Sequence, residues 1–188
     1  MRSAIANIMF DFIQSLERIT SEEQAFAELN KVTAFFGMDS LAISGIPEPH
    51  ERLDPYILMN GWPQEWAERY LENNYVRIDP VIQRTLLSDN AFVWSDELQK
   101  VNVDRRGMEL MHEATAFGFG NGFSVPIHSI RGFRAIVTYA ADRVDLSGEA
   151  RGALHMISIY AHNKLREIKT GGKNSIIQRS ISLTPREK

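Results

Sequence analysis

The sequence predicts an α+β fold: an α-β-α sandwich with a central antiparallel sheet of about five strands flanked by helices. Three observations predict it. Apolar stripes at helical spacing occupy both ends of the chain and recur between them. A strong hairpin signal lies late in the chain, where Phe123, Val125 and Ile127 alternate up to the turn "HSIRG" and Phe133, Ala135, Val137 and Tyr139 alternate after it. Two shorter strand-like runs, "SLAISG" and "PYILMN", precede it, separated by the proline-rich loop "IPEPHERLD".

Taken in order, the first helix is expected from Ser3 to Arg18, with Ile5, Ile8, Met9, Phe12, Ile13, Leu16 and Ile19 as its stripe. Asn7, Asp11 and Gln14 interrupt that stripe, so it fits neither a signal peptide nor a membrane span. Thr20 and Glu23 have capping-box spacing and open a second helix, with Ala25, Phe26, Leu29, Val32 and Phe36 facing inward and Gly37 at its end. "PQEWAERYLENN" and "PVIQRTLL" each open with a proline suited to a first helical turn. "NVDRRGMELMHEATAFG" reads as a further helix, closed by Gly118. Ser147 caps a long last helix with Ala150, Ala153, Leu154, Ile157, Tyr160, Ala161, Leu165 and Ile168 inward. Residues 1–168 therefore read as one domain and 169–182 as a linker rich in Gly, Ser and charge.

Composition narrows the function classes. The 188 residues contain no cysteine, which excludes disulfides, a thiolate nucleophile and Cys-ligated metal. A soluble cytoplasmic protein is the expectation. The five histidines show no H-E-x-x-H spacing, G-x-S-x-G is absent, and "GFGNG" is neither a Walker loop nor a dinucleotide fingerprint. No catalytic residue, metal or cofactor is expected. Charge is uneven: 14 Lys and Arg against 22 Asp and Glu over residues 1–163, but 7 against 2 over 164–188. The acidic body is a poor nucleic-acid surface, whereas the basic tail could adjoin one.

The informative stretch is "NGWPQEWAERYLENNYVRIDPVIQRTLLSDNAFVW". Trp66 and Tyr70 share a helical face, Asp79 precedes Pro80, and Phe92 and Trp94 share a face if that run is extended. Aromatics at helical spacing more often build core, and an Asp before Pro more often caps a helix. The polar complement sharpens the alternative. Indole N–H only donates, carboxylate only accepts and a hydroxyl does either, so an amide joined to a lactone would match the set.

This region resembles the autoinducer-binding domain of LuxR-type quorum-sensing transcription factors, a resemblance that runs from about Ser3 to Ile168 and rests on Trp66, Tyr70, Asp79, Pro80, Trp94 and Gly122. It implies an N-acyl-homoserine lactone ligand. Trp66 would donate to the lactone carbonyl and Asp79 would accept the amide N–H. Trp62 stands where the family usually has a tyrosine that donates to the acyl carbonyl, and Thr138 matches a hydroxyl that reads that carbonyl or a 3-oxo group. Tyr70 and Trp94 would wall the cavity, with Phe92 nearby, while Pro80 and Gly122 serve structure. Ala67 fills a position where some relatives carry arginine. The final "LTPREK", with Thr184, Pro185 and Glu187 in capping order, resembles the start of the family's helix-turn-helix domain at 183–188. The resemblance thus implies a homodimer that meets promoter DNA through a C-terminal domain missing from this chain, with no membrane partner. A noncognate or orphan receptor is the alternative, and the last helix could be core, dimer seam or both.

Overall fold

The computed structural model describes residues 3–129, 132–144 and 146–171. Five antiparallel strands form one sheet in the order β2-β1-β5-β4-β3, where β1 is Ser40–Gly45, β2 Ile57–Asn60, β3 Phe92–Val93, β4 Asn121–His128 and β5 Arg134–Ala141. The hairpin expected from alternation is present: Phe123 faces Tyr139, Val125 faces Val137 and Ser124 faces Thr138 across β4 and β5. The helices are α1 Ala4–Ser15, α2 Glu22–Phe35, α3 Gln64–Glu72, α4 Pro80–Leu86, α5 Trp94–Glu97, α6 Arg105–Thr115 and α7 Gly148–Lys169.

The two faces of the sheet carry different layers. On one side α1, α2 and α7 close over Leu41, Ile43, Phe123, Val125, Val137 and Tyr139. Period-2 alternation sends the intervening residues the other way, toward α3, α4 and α6. On that second side Ile46, Trp66, Tyr70, Val81, Leu110, Phe119, Ile136 and Ala140 cluster. Helix caps set the layer boundaries: Ser3, Asp104 and Ser147 each accept an N–H from the first turn of α1, α6 and α7. Gly37 and Gly118, with φ of 71° and 84°, end α2 and follow α6 in the left-handed conformation that glycine tolerates best.

Several expectations shift. The α2 cap is Ser21, whose Oγ accepts from the Gln24 N–H at 3.3 Å, while Gln24 Oε1 accepts from the Thr20 N–H at 2.9 Å. A glutamine can reach back to a backbone N–H as well as Glu23 could, and Ser21 is the residue with extended backbone. Pro55 and Tyr56 lie in a 3-10 turn, since proline supplies no ladder donor, so β2 starts at Ile57. The extended run expected at 92–94 ends at Val93, and Trp94 begins α5. Phe133 precedes β5. Tyr160 is exposed at 43%, and the buried polar residues Ser158 and His162 fill the α7 face instead. Ser158 is accommodated by bonding the Tyr139 hydroxyl at 2.8 Å and the Leu154 carbonyl at 2.6 Å. Ile130 and Arg131 of the expected turn, nearly all of the 169–182 linker and the Thr184–Glu187 motif lie outside the described residues.

Candidate functional site

The site grows from one short chain reversal. Pro63 leads into α3, whose inner face presents Trp66, Ala67 and Tyr70. Asn74, at φ 51°, then turns the chain into a single 3-10 turn at Tyr75–Arg77. That turn delivers Asp79 to the start of α4, where Pro80 needs no N–H partner. Asp79 Oδ1 accepts the Val81 N–H at 2.7 Å, capping α4, and Oδ2 accepts the Tyr70 hydroxyl at 2.7 Å. So Asp79 caps a helix, as its position before proline suggests, and also ties α4 to α3.

The electrostatics follow from burial. Asp79 is buried, and loss of water raises its pKa, while the Tyr70 hydroxyl and the Val81 and Ile82 amides pull it back. The Tyr70 phenol is held well above its usual range by burial and then by the Asp79 charge, so it serves as donor. The two groups leave Asp79 with lone pairs still to offer.

Aromatic rings build one wall. Trp62 meets Tyr70 edge-on at 5.2 Å and Phe119 at 5.8 Å, and Trp66 meets Phe117 at 5.2 Å and Phe119 at 6.0 Å. Among the described residues neither indole N–H of Trp62 and Trp66 finds an acceptor. Trp94 differs. Its Nε1–H donates to Ser124 Oγ at 2.9 Å, and Ser124 Oγ lies 2.9 Å from Thr138 Oγ1 on the neighbouring strand. Gly122 makes room for that ring: a Cβ there would sit 2.3 Å from Trp94 Cε2 and 2.5 Å from the Tyr139 carbonyl oxygen.

Between these parts is a cavity of about 550 Å³ including its mouth. The sheet contributes Ala42, Ser44, Ile136 and Thr138, α3 gives Trp66 and Tyr70, α4 gives Val81 and Ile82, and α6 gives Leu110, Met111 and Ala114. Trp62, Asp79, Trp94, Phe119 and Leu53 complete it. A second lobe, about 310 Å³ including its open side, adjoins it, sharing Ala42, Ser44, Leu53, Trp62 and Tyr70 and extending past Ile57, Met59, Asn60, Ala67 and Leu71. Six of the seven residues singled out from sequence as ligand contacts, Trp62, Trp66, Tyr70, Asp79, Trp94 and Thr138, line the main cavity. Phe92 does not. It is buried beside the Arg84 guanidinium, 5.9 Å from its ring centre. Sequence reasoning missed Ser124, Leu53 and Phe119. A signal was available: apart from Ile136, the cavity-side positions Ala42, Ser44, Gly122, Ser124, Thr138 and Ala140 are small, whereas Leu41, Ile43, Phe123, Val125, Val137 and Tyr139 on the other face are large.

Among the described residues no group of three His, Asp or Glu could hold a metal ion, and no helix is long and apolar enough to cross a membrane.

Comparison with known proteins bears on the same region. The family described as "Autoinducer binding domain" matches residues 21–165. The chain is 31% identical over 178 residues to the transcriptional activator protein BjaR1 of Bradyrhizobium diazoefficiens, covering 95% of this chain and 72% of that protein. It is 33% identical over 177 residues to the quorum sensing-dependent transcriptional regulator RpaR of Rhodopseudomonas palustris, covering 94% and 70%. Among solved structures, the N-acylhomoserine lactone dependent LuxR family factor CepR2 of Burkholderia cenocepacia superimposes with a TM-score of 0.71 at 23% identity, over 89% of this chain and 99% of that one. SdiA in complex with octanoyl-rac-glycerol superimposes with a TM-score of 0.72 at 15% identity, over 99% and 75%. At those identities the two structures speak for the fold.

Proposed function

The chain belongs to the autoinducer-binding domain family of LuxR-type quorum-sensing regulators, and from that premise we propose that its cavity holds an N-acyl-homoserine lactone. The observation that carries this reading is the pairing of Asp79, an acceptor held by Tyr70 and the start of α4, with the unpartnered indole donors of Trp66 and Trp62 around an apolar cavity. A ligand with one N–H and two carbonyls satisfies all three. Any buried donor or acceptor left unpaired would cost about 1–3 kcal/mol.

In this reading Trp66 donates to the lactone carbonyl and Asp79 accepts the amide N–H. Thr138 and Trp62 stand at the acyl carbonyl, and the fatty tail enters the second lobe between Leu53, Ile57, Met59, Ala67 and Leu71. Tyr70 and Trp94 act as walls. In this reading the whole regulator acts as a homodimer whose two-fold symmetry matches paired DNA half-sites read by a helix-turn-helix domain. Ligand binding couples to that state by linkage: at about 1,000 times its dissociation constant a ligand adds about 4 kcal/mol to folding stability.

One feature favours a second reading, in which the signal departs from this class. Trp62 donates but cannot accept, so a ligand hydroxyl presented there must use its lone pairs. Both readings meet in one experiment. The domain is expressed with a panel of acyl-homoserine lactones and an organic extract of the purified protein is examined by mass spectrometry. Stoichiometric retention of one member, lost in Asp79→Ala, is the expected result. Retention of none, with no thermal shift on adding them, moves the assignment to a noncognate signal.

A further inference from the structure

The hydroxyl pair behind Trp94 has a direction that hydrogen counting reveals. Ser124 is fully buried on β4, Thr138 faces it on β5 at 7% exposure, and Trp94 Nε1 reaches Ser124 Oγ at 2.9 Å. Indole N–H can only donate, so Ser124 Oγ is the acceptor in that bond. The remaining Ser124–Thr138 bond, 2.9 Å, could run either way. If Thr138 donated, Ser124 would receive two protons and its own would point at no acceptor among the described residues. A fully buried hydroxyl proton without a partner is the costlier arrangement. The order of lower cost is Trp94 to Ser124 to Thr138, which leaves the Thr138 proton to spend elsewhere. Thr138 lines the cavity and makes no other hydrogen bond among the described residues.

We infer that Ser124 is a positioning residue: by passing on the Trp94 donor it fixes Thr138 as a hydrogen-bond donor into the cavity, so the pocket selects an acceptor oxygen, such as a carbonyl, at that point. This rests on the acyl-homoserine-lactone reading of the site. Ser124 touches no ligand itself. Its effect passes through the polarity of Thr138, which without Ser124 is free to donate or accept.

A double-mutant cycle tests it. N-octanoyl-homoserine lactone and its 3-oxo counterpart, with butanoyl and dodecanoyl homologues beside them, are titrated into the purified wild-type chain, and the tightest binder is carried into Ser124→Ala, Thr138→Val and the double variant. The expected result is a loss of about tenfold in affinity for Thr138→Val, several-fold for Ser124→Ala, and no further loss in the double variant. Ser124→Thr, which keeps the hydroxyl, restores affinity. Losses that multiply in the double variant, or a Ser124→Ala affinity equal to wild type, overturn the assignment. So does an equal loss in Ser124→Thr and Ser124→Ala. If the wild-type chain binds none of these lactones, it is the functional reading that falls, and this inference falls with it.

Discussion

The two faces of the sheet use the same alternating strands and reach opposite ends. Toward α1, α2 and α7 the strands project Leu41, Ile43, Phe123, Val125, Val137 and Tyr139, all at 0–1% exposure, into a filled core. Toward α3, α4 and α6 the same strands line the cavity with Ala42, Ser44 and Thr138, joined by the larger Ile136, and the space the small side chains leave is the cavity. The polar groups divide in a similar way, with one exception. Tyr139 and Ser158 satisfy each other on the filled side, where only His162 Nε2 among the described residues is left without a partner, whereas Trp62, Trp66 and Asp79 keep bonding capacity toward the cavity. A sheet can thus hold stability on one face and binding on the other, with side-chain size at alternate positions deciding which is which.

Four expected outcomes would break or sharpen that contrast. The largest is on the filled face, where Phe123→Ala should cost about 3–5 kcal/mol in denaturant unfolding. The ligand affinity of the molecules that remain folded should change little. Next is His162, also on the filled side, with Nε2 unpartnered and its pKa lowered by burial to about 4. The Asn163 side chain raises it slightly, and the Arg166 charge lowers it further. The unfolded chain takes up a proton near the ordinary value while the folded one resists, so stability falls as pH drops from about 6.5 to about 4. His162 can contribute at most about 3 kcal/mol to that fall. His162→Gln should flatten the slope. Third, Asp79→Ala and Trp66→Phe should each weaken lactone binding by more than about tenfold, read by titration. The smallest is a pair of opposite sign. Ala42→Leu, facing the hollow, should stabilise the unliganded domain by about 0.5–2 kcal/mol while weakening long-chain lactones. Ala161→Leu, facing the filled core at 1% exposure, should destabilise it by about 1–3 kcal/mol. Equal signs at the two alanines would contradict the contrast.

Much of this was legible because it is periodic or local. The β4–β5 hairpin, the helix stripes and the Ser147 cap follow from patterns of two, of three to four, and of single residues. The aromatic and acidic set around α3 and α4 was legible because one short chain reversal holds it. What escaped depends on partners far apart in sequence. Tyr160 continues the α7 stripe yet points outward, because Ser158 and His162 take the inner face where Tyr139 and Phe133 lie. Phe92 would share a face with Trp94 only in an extended run, but the strand ends at Val93 and Trp94 starts α5, while Phe92 stacks near Arg84 and does not line the cavity. Ser124 looks like an ordinary strand serine until Trp94, thirty residues earlier, is seen to donate to it.

The central claim is that the hollow face is completed by ligand and the filled face is complete without it. Amide hydrogen exchange, with and without a saturating acyl-homoserine lactone, tests it most directly. Without ligand, amides of α3, α4 and α6 should exchange at least about tenfold faster than the central amides of α7, through local opening. Ligand should close most of that gap. Equal protection of the two layers before ligand is added, or a gap that ligand leaves untouched, would contradict the account.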